Sequence, residues 1–142
     1  MNIKQLLRVI KIYKKQIEDL QLEKSALINR LNSYEALLKD IESQRKNEMD
    51  VIAQSVNPTI EYTGFFKSLK LRTAEINEKI NLVKQEISQV NNKIVDVFKE
   101  QRKYEILIDR FKLQELEKEK QEELKQFDEL NIFKRSPEDT LN

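Results

Sequence analysis

The feature that most constrains this chain is an apolar spacing that alternates between three and four residues, in two long runs. The first run reads Ile3, Leu6, Ile10, Tyr13, Ile17, Leu20, Lys24, Leu27, Leu31, Tyr34, Leu38 and Ile41. The second reads Leu69, Thr73, Ile76, Ile80, Val83, Ile87, Val90, Ile94, Val97, Gln101, Tyr104, Ile108 and Phe111. A straight helix would drift away from such a seam by about 20° per heptad. The pattern therefore predicts two long helices of a left-handed coiled coil.

Residues 53–64 are the one break between the two runs. They contain Pro58 and the single glycine of the chain, Gly64. Asn57 before Pro58 is typical of a helix N-cap followed by the first helical residue, whereas an interruption at Gly64 stays open. The sequence therefore predicts helix 1 at about residues 2–54, a turn at about 55–58 and helix 2 at about 59–131.

Two architectures can pair these helices: an antiparallel hairpin within one chain, or parallel association of two chains. If the chain folds back near residue 57, position i faces about position 115 − i, so a seam that begins at Ile3 needs a partner seam that ends near residue 112. The second seam ends at Phe111, and parallel pairing gives no reason for that agreement. We predict an all-α fold, a long two-helix antiparallel coiled-coil hairpin.

Beyond residue 112, helix 2 has no opposing segment. Residues 115–129 hold seven acidic residues and three lysines, with opposite charges spaced to pair along a lone helix for about 0.2 to 0.5 kcal/mol each. We predict that residues 113–131 overhang a single hairpin domain of residues 1–133. The polar residues 134–142 are predicted to form a disordered tail.

The composition argues against an enzyme. The chain has no Cys and no His, which removes the usual nucleophilic thiol, general base and transition-metal ligands, and one glycine cannot form a phosphate-binding loop. With 26 Lys and Arg against 25 Asp and Glu, no one-sign field favours nucleic acid. No apolar stretch approaches the roughly 20 residues that span a bilayer. We predict a cytoplasmic protein with no catalytic, cofactor-binding or metal-binding residues, no cofactor and no direct membrane insertion.

An aromatic cluster and a basic stretch are candidate binding surfaces. Tyr62, Phe65 and Phe66 follow the turn, opposite a polar part of helix 1, so they either cap the hairpin or form an exposed anchor for a partner. The basic residues at the start of helix 1 are Lys4, Arg8, Lys11, Lys14 and Lys15. They are either a solvated face that answers Glu105 and Asp109 on helix 2, or a docking surface for an acidic partner.

These features together resemble the FliJ-type flagellar export proteins, the small coiled-coil stalk components of the type III export apparatus. The matching elements, in order, are Leu31 with Tyr34, then Tyr62 with Phe65 and Leu69, then 98–103, and finally Asp128, Glu129 and Leu130. The resemblance covers almost the whole chain. Arg72 and Ile76 depart from the family pattern.

The resemblance implies a stalk that inserts its paired termini into the hexameric export ATPase and contacts the cytoplasmic domain of the membrane export gate. It also implies the escort of export chaperones, at the inner face of the cell membrane. The candidate gate-binding residues are Leu31, Tyr34, Tyr62, Phe65 and Leu69. The candidate ATPase-binding residues are Lys4, Arg8, Lys11, Lys15, Arg110, Glu115 and Glu119. The alternatives are the equivalent stalk of an injectisome and a structural tether unrelated to export.

Overall fold

The structure is a computed structural model that describes residues 1–54 and 61–139, with side chains described for residues 1–54 and 62–132. Two helices account for the described chain: α1 at Ile3–Gln54 and α2 at Glu61–Asp139. The two helices pack against each other, and the predicted all-α antiparallel hairpin is confirmed. The predicted turn at about 55–58, with Asn57 as N-cap, lies outside the described residues.

A reciprocal capping box starts α1. The Asn2 side-chain Oδ1 accepts a hydrogen bond from the Gln5 backbone N–H at 2.9 Å, and Gln5 Oε1 accepts one from the Asn2 N–H at 3.1 Å. The Leu6 N–H donates to the Asn2 carbonyl at 3.1 Å. The two side chains thus satisfy backbone donors that the first helical turn leaves without partners.

Packing divides the chain into two units, Met1–Lys14 with Phe98–Asn142, and Lys15–Val97. In the first unit, Leu6 and Ile10 of α1 form a buried cluster with Ile108 of α2, and Ile3 and Tyr104 pack against it. The fold-back rule expects a residue near 109 opposite Leu6, in agreement with this cluster.

The second unit contains two more apolar clusters. Leu27 packs with Val83 and Val90. Farther along α1, Ile41 packs with a cluster whose other buried members are Leu69, Ile76 and Ile80. As the chain advances along α1, its partners on α2 move back toward the start of that helix, so the pairing is antiparallel. The assignment of residues 1–133 to one domain stays a prediction.

α2 extends beyond the predicted end of helix 2. The helix passes through Gly64 without interruption. It continues to Asp139, so residues 134–139, predicted as the start of a disordered tail, belong to the helix instead. Extending an existing helix costs less than starting one, so α2 continues past residue 133. Ser136 and Pro137 do not end it, although Pro137 has no backbone N–H to donate. Residues 140–142 lie outside the described part of the chain.

Candidate partner-binding surfaces

Four of the five candidate gate-binding residues lie in or against one apolar cluster of the second unit. The buried members of this cluster are Ile41, Leu69, Ile76 and Ile80, and the residues packed against them are Leu31, Tyr34, Leu38 and Phe65. The fifth candidate, Tyr62, is half-buried and precedes Phe65 by three residues on α2. Antiparallel pairing therefore brings the gate candidates of α1 and α2, which are distant in sequence, to one region of the second unit.

The gate candidates differ in accessibility. Leu69 exposes only 4% of its surface, so a partner that docks on the folded hairpin does not reach it. Leu31, Tyr34, Tyr62 and Phe65 are half-buried. Leu69 would therefore act by supporting this surface from beneath, and the half-buried side chains would provide the contacts.

A groove between the two helices lies beside this cluster. Its lining residues are Ile41, Glu42, Arg45, Met49, Phe66, Leu69, Lys70 and Thr73. Phe66 lines the groove while its neighbour Phe65 packs on the cluster, and the two ring centroids lie 5.7 Å apart with the ring planes at 73°. Such edge-to-face contact favours both rings. The sequence left two alternatives for the aromatic residues, a cap over the hairpin or an exposed anchor. Phe65 covers the apolar cluster, whereas Phe66 faces the groove.

An arginine clamp on α1 forms one wall of this groove. Arg45 donates two hydrogen bonds to the Glu42 carboxylate, from Nη2 at 2.7 Å and from Nε at 3.1 Å. Its Nη1 donates to the Met49 sulfur at 3.4 Å. The bonds from Arg45 hold the pKa of Glu42 below its ordinary value and raise the pKa of Arg45. No binding role was predicted for Arg45, although its three-residue spacing from Glu42 is one at which side chains pair along a helix.

Three of the four basic candidates on α1, Lys4, Arg8 and Lys11, are exposed in the first unit. Lys15 belongs to the second unit and forms an ion pair with Asp19 at 3.1 Å. Steps of four, three and four residues place all four on one face of α1, about 150° from the seam. The predicted basic stripe is therefore a solvent-facing row rather than part of the helix interface.

Lys14, next to this row in sequence, lies close enough to Glu105 on α2 for its charge to act on that carboxylate. Gln101 Nε2 and Arg102 Nη1 donate to the Glu105 carboxylate at 3.0 and 3.2 Å and lower its pKa, and the positive charge of Lys14 lowers it further. Close by, the rings of Tyr13 and Tyr104 pack at 5.6 Å, and burial, followed by the proximity of Tyr104, raises the pKa of Tyr13. The solvated-face interpretation of the basic stretch thus fits Lys14.

The remaining ATPase candidates, Arg110, Glu115 and Glu119, are exposed on α2. Helical spacing places Glu115 and Glu119 on one face, whereas Arg110 lies about 140° away from Glu115. The three ATPase candidates of α2 therefore do not share one face of the helix.

Comparison with protein families matches residues 1–136 to the family described as flagellar FliJ protein. The chain belongs to the FliJ family. Comparison with curated proteins and with solved structures gave no match.

Membership of the FliJ family confirms the resemblance that the sequence motifs suggested, over nearly the whole chain. It makes this FliJ-family chain a protein associated with flagellar export. Within residues 1–54 and 61–139, neither helix has a segment long and apolar enough to cross a membrane.

Proposed function

We propose that the chain is a non-enzymatic stalk of the flagellar type III export apparatus. In this proposal it binds the hexameric export ATPase and the cytoplasmic domain of the membrane export gate, escorts export chaperones, and works at the cytoplasmic face of the cell membrane. The observation that carries the proposal is the family match over residues 1–136, on a chain that folds as a two-helix hairpin. Six of the seven ATPase candidates belong to the first unit and all five gate candidates belong to the second, which supports separate surfaces for the two partners.

The gate surface is proposed to be the half-buried aromatic residues of the second unit together with the adjoining groove. Large aromatic side chains dominate the energetics of protein interfaces because each buries much apolar area at a small entropic cost. Phe65 and Phe66 meet that description, since both are half-buried and they pack edge-to-face. The Glu42–Arg45 pair at the groove wall would add polar contacts around this apolar centre.

Replacing Phe65 and Phe66 with Ala tests the gate surface. Affinity for the purified cytoplasmic gate domain, measured by calorimetry, is expected to fall at least about tenfold, which corresponds to about 1.4 kcal/mol. Leu71→Ala is the matched control because Leu71 is also on α2 but is 61% exposed and lies on the opposite face from Leu69. Equal affinity of both variants and the wild-type protein, with the thermal unfolding midpoint recorded alongside, would refute the gate assignment.

The ATPase surface is proposed to be the basic row at the start of α1 together with the exposed part of α2. Residues 109–132 are all exposed, so this length of helix is accessible to a ring of subunits. A chain that lacks residues 113–142 should keep its hairpin fold, because the buried clusters of both units end at Ile108.

The truncated chain is expected to lose the ability to stimulate the hydrolysis of ATP by the export ATPase. Its unfolding midpoint, followed by circular dichroism, should stay close to that of the full chain. A second variant, in which Lys4, Arg8 and Lys11 are replaced by Glu, should weaken stimulation without shortening α2. Full stimulation by both variants would contradict the ATPase part of the proposal.

A further inference from the structure

An apolar stripe runs along the exposed part of α2. Its members and their exposed fractions are Leu113 at 60%, Leu116 at 49%, Leu124 at 62%, Phe127 at 61% and Leu130 at 63%. Exposed single leucines are common on protein surfaces, whereas a row of them along one helix is typical of an interface. Four of them fall on a heptad pattern whose full membership is Leu113, Leu116, Lys120, Glu123, Phe127 and Leu130.

This stripe does not belong to the hairpin interface. The seam that packs on α1 ends with Ile108 and Phe111, and its next heptad positions are charged: Glu115, Lys118, Glu122 and Lys125. Leu113 follows Phe111 by two residues and Ile108 by five, which places it about 140° to 160° around the helix from these two seam residues. The stripe therefore faces away from the side on which α1 packs, and α1 does not obstruct it.

We propose that two copies of the chain pair with each other through this stripe, antiparallel, with the two-fold axis between Gln121 and Glu122. Each heptad position then meets a complementary one of the second copy. Leu113 lies opposite Leu130 of the second copy, and Leu116 lies opposite Phe127. At the centre Lys120 lies opposite Glu123, twice by symmetry, so the apolar layers flank two opposite-charge layers.

Charge decides between this arrangement and the other ways of pairing two stripes. In a parallel pair Lys120 would lie opposite Lys120, and Glu123 opposite Glu123, with two like-charge layers at the centre of the interface. A shift of the antiparallel register by one heptad would set Leu113 opposite Glu123 and Leu116 opposite Lys120. The antiparallel register centred between Gln121 and Glu122 avoids both conflicts.

The surface at the centre of the stripe has the shape that such pairing requires. Lys120, Glu123, Leu124 and Phe127 line a shallow groove. These are positions i, i+3, i+4 and i+7 of a helix, the four residues that form the hole for a side chain of the facing helix in a coiled coil. In the proposed register the Lys120 side chain of the second copy enters this hole, with its alkyl stem on Leu124 and its charge toward Glu123.

The size of the stripe sets the strength of the association. Residues 113–130 span about 27 Å of helix at 1.5 Å per residue and offer five large apolar side chains per copy. That interface lies at the small end of specific protein contacts, so the pair is expected to dissociate on dilution. The inference goes beyond the proposed function and does not depend on it, since it concerns a contact between identical chains. The stripe lies on the same exposed part of α2 that is proposed to bind the ATPase, so pairing and ATPase binding would compete.

Sedimentation velocity of the full chain over a wide concentration range tests the pairing. The wild-type chain is expected to pass from monomer to dimer as its concentration rises. Lys120→Glu and Glu123→Lys, each alone, place like charges opposite each other and should weaken the dimer at least about tenfold. An equimolar mixture of the two variants should regain the wild-type dimer, because the two central positions are then both acidic in one chain and both lysine in the other.

The double variant with Lys120→Glu and Glu123→Lys in one chain reports the orientation. It restores opposite charges across an antiparallel pair and is expected to dimerise like the wild-type protein, whereas a parallel pair would keep like charges opposed. Lys118→Glu and Glu122→Lys are matched controls on the face that continues the hairpin seam, and they should leave the dimer unchanged.

Several outcomes would overturn the inference. The first is a wild-type chain that stays monomeric at every concentration. The second is that the single variants dimerise as well as the wild-type chain, or that their equimolar mixture forms no dimer. The third is that the control variants weaken the dimer as much as Lys120→Glu and Glu123→Lys do. A monomeric chain whose stripe binds only a different protein would also overturn it. Circular dichroism of each variant separates a loss of pairing from a loss of helix.

Discussion

Gln101 is a buried polar residue inside an otherwise apolar seam. It is 7% exposed, and its amide donates to Glu105 while its Oε1 has no hydrogen-bond partner. A buried polar atom without a partner costs free energy, and replacing such a group by an apolar one of similar size is often neutral or stabilising. Gln101 therefore lowers the free energy of unfolding relative to an apolar residue of similar size at this position.

Gln101→Leu is expected to raise the free energy of unfolding by about 1 kcal/mol, because the unpaired oxygen is removed and the seam gains an apolar side chain. Gln101→Ala should instead lower it, since a cavity replaces the amide. Urea denaturation followed by circular dichroism measures both. In the same Leu variant the pKa of Glu105, followed by NMR, should move up toward its ordinary value, because the bond from Gln101 is the main cause of its depression. A less stable Leu variant with an unchanged pKa would contradict this account.

The Glu42–Arg45 pair predicts a small pH dependence. The pKa of Glu42 in the folded chain lies below its ordinary 4.5 because Arg45 donates to the carboxylate, so the unfolded chain binds the proton more readily. The pair therefore stabilises the fold at neutral pH, and that stabilisation is lost as the pH falls through the lowered pKa.

Glu42→Gln should consequently lower the urea midpoint at pH 7, and the gap from the wild-type chain should close at a pH below the lowered pKa. The effect is expected to be small, since both side chains are about half exposed and water screens such pairs. A gap of the same size at both pH values would show that the ion pair is not the cause of the difference.

At the scale of the element, the beginning of α2 carries a helical glycine that packing does not require. A Cβ at Gly64 would meet nothing within 4 Å. Glycine destabilises a helix relative to alanine by roughly 0.5 to 1 kcal/mol, chiefly because the unfolded chain keeps more freedom.

Gly64→Ala is therefore expected to raise the free energy of unfolding by about 0.5 to 1 kcal/mol, as measured by urea denaturation. Thr63→Ala, at the exposed neighbouring residue, is the control: it introduces alanine at an adjacent helical position and leaves Gly64 unchanged. A destabilised Gly64→Ala chain would show that the bare backbone is needed there, for instance by a partner that approaches it closely.

At the scale of the whole molecule, the pairing of α1 with α2 within one chain can be measured directly. Gln16 and Asp96 line one groove of the second unit. Because the chain has no cysteine, cysteines introduced at these two positions can be spin-labelled alone. Helix axes in contact lie about 8 to 10 Å apart, so a short distance between the labels is expected.

The measurement also tests the parallel alternative. Diluting the labelled chain with an excess of unlabelled chain should leave the short distance intact, since both labels belong to one hairpin. A short distance that disappears on dilution would instead indicate pairing between separate chains, and with it the failure of the stalk proposal. The dimer inferred at the α2 stripe does not disturb this readout, because it lies in the other unit.

The sequence determined the helices and their antiparallel pairing because both are written in the spacing of apolar residues. A heptad seam specifies a helix face, and two seams that mirror each other about residue 57 specify which segments meet. The Leu27 cluster with Val83 and Val90 follows from that rule alone.

Only the tertiary structure decided how deeply each of these side chains is buried and which group it contacts. In the structure Leu69 is buried beneath the candidate surface, and Phe65 and Phe66 contact different neighbours. The positive charge of Lys14 helps to lower the pKa of Glu105. Spacing defines the face of a helix to within a residue or two, whereas burial and hydrogen bonding depend on side-chain positions within a few ångströms across the interface. A helical repeat therefore determined the partners of each segment, and the packing of the two helices determined what remains accessible.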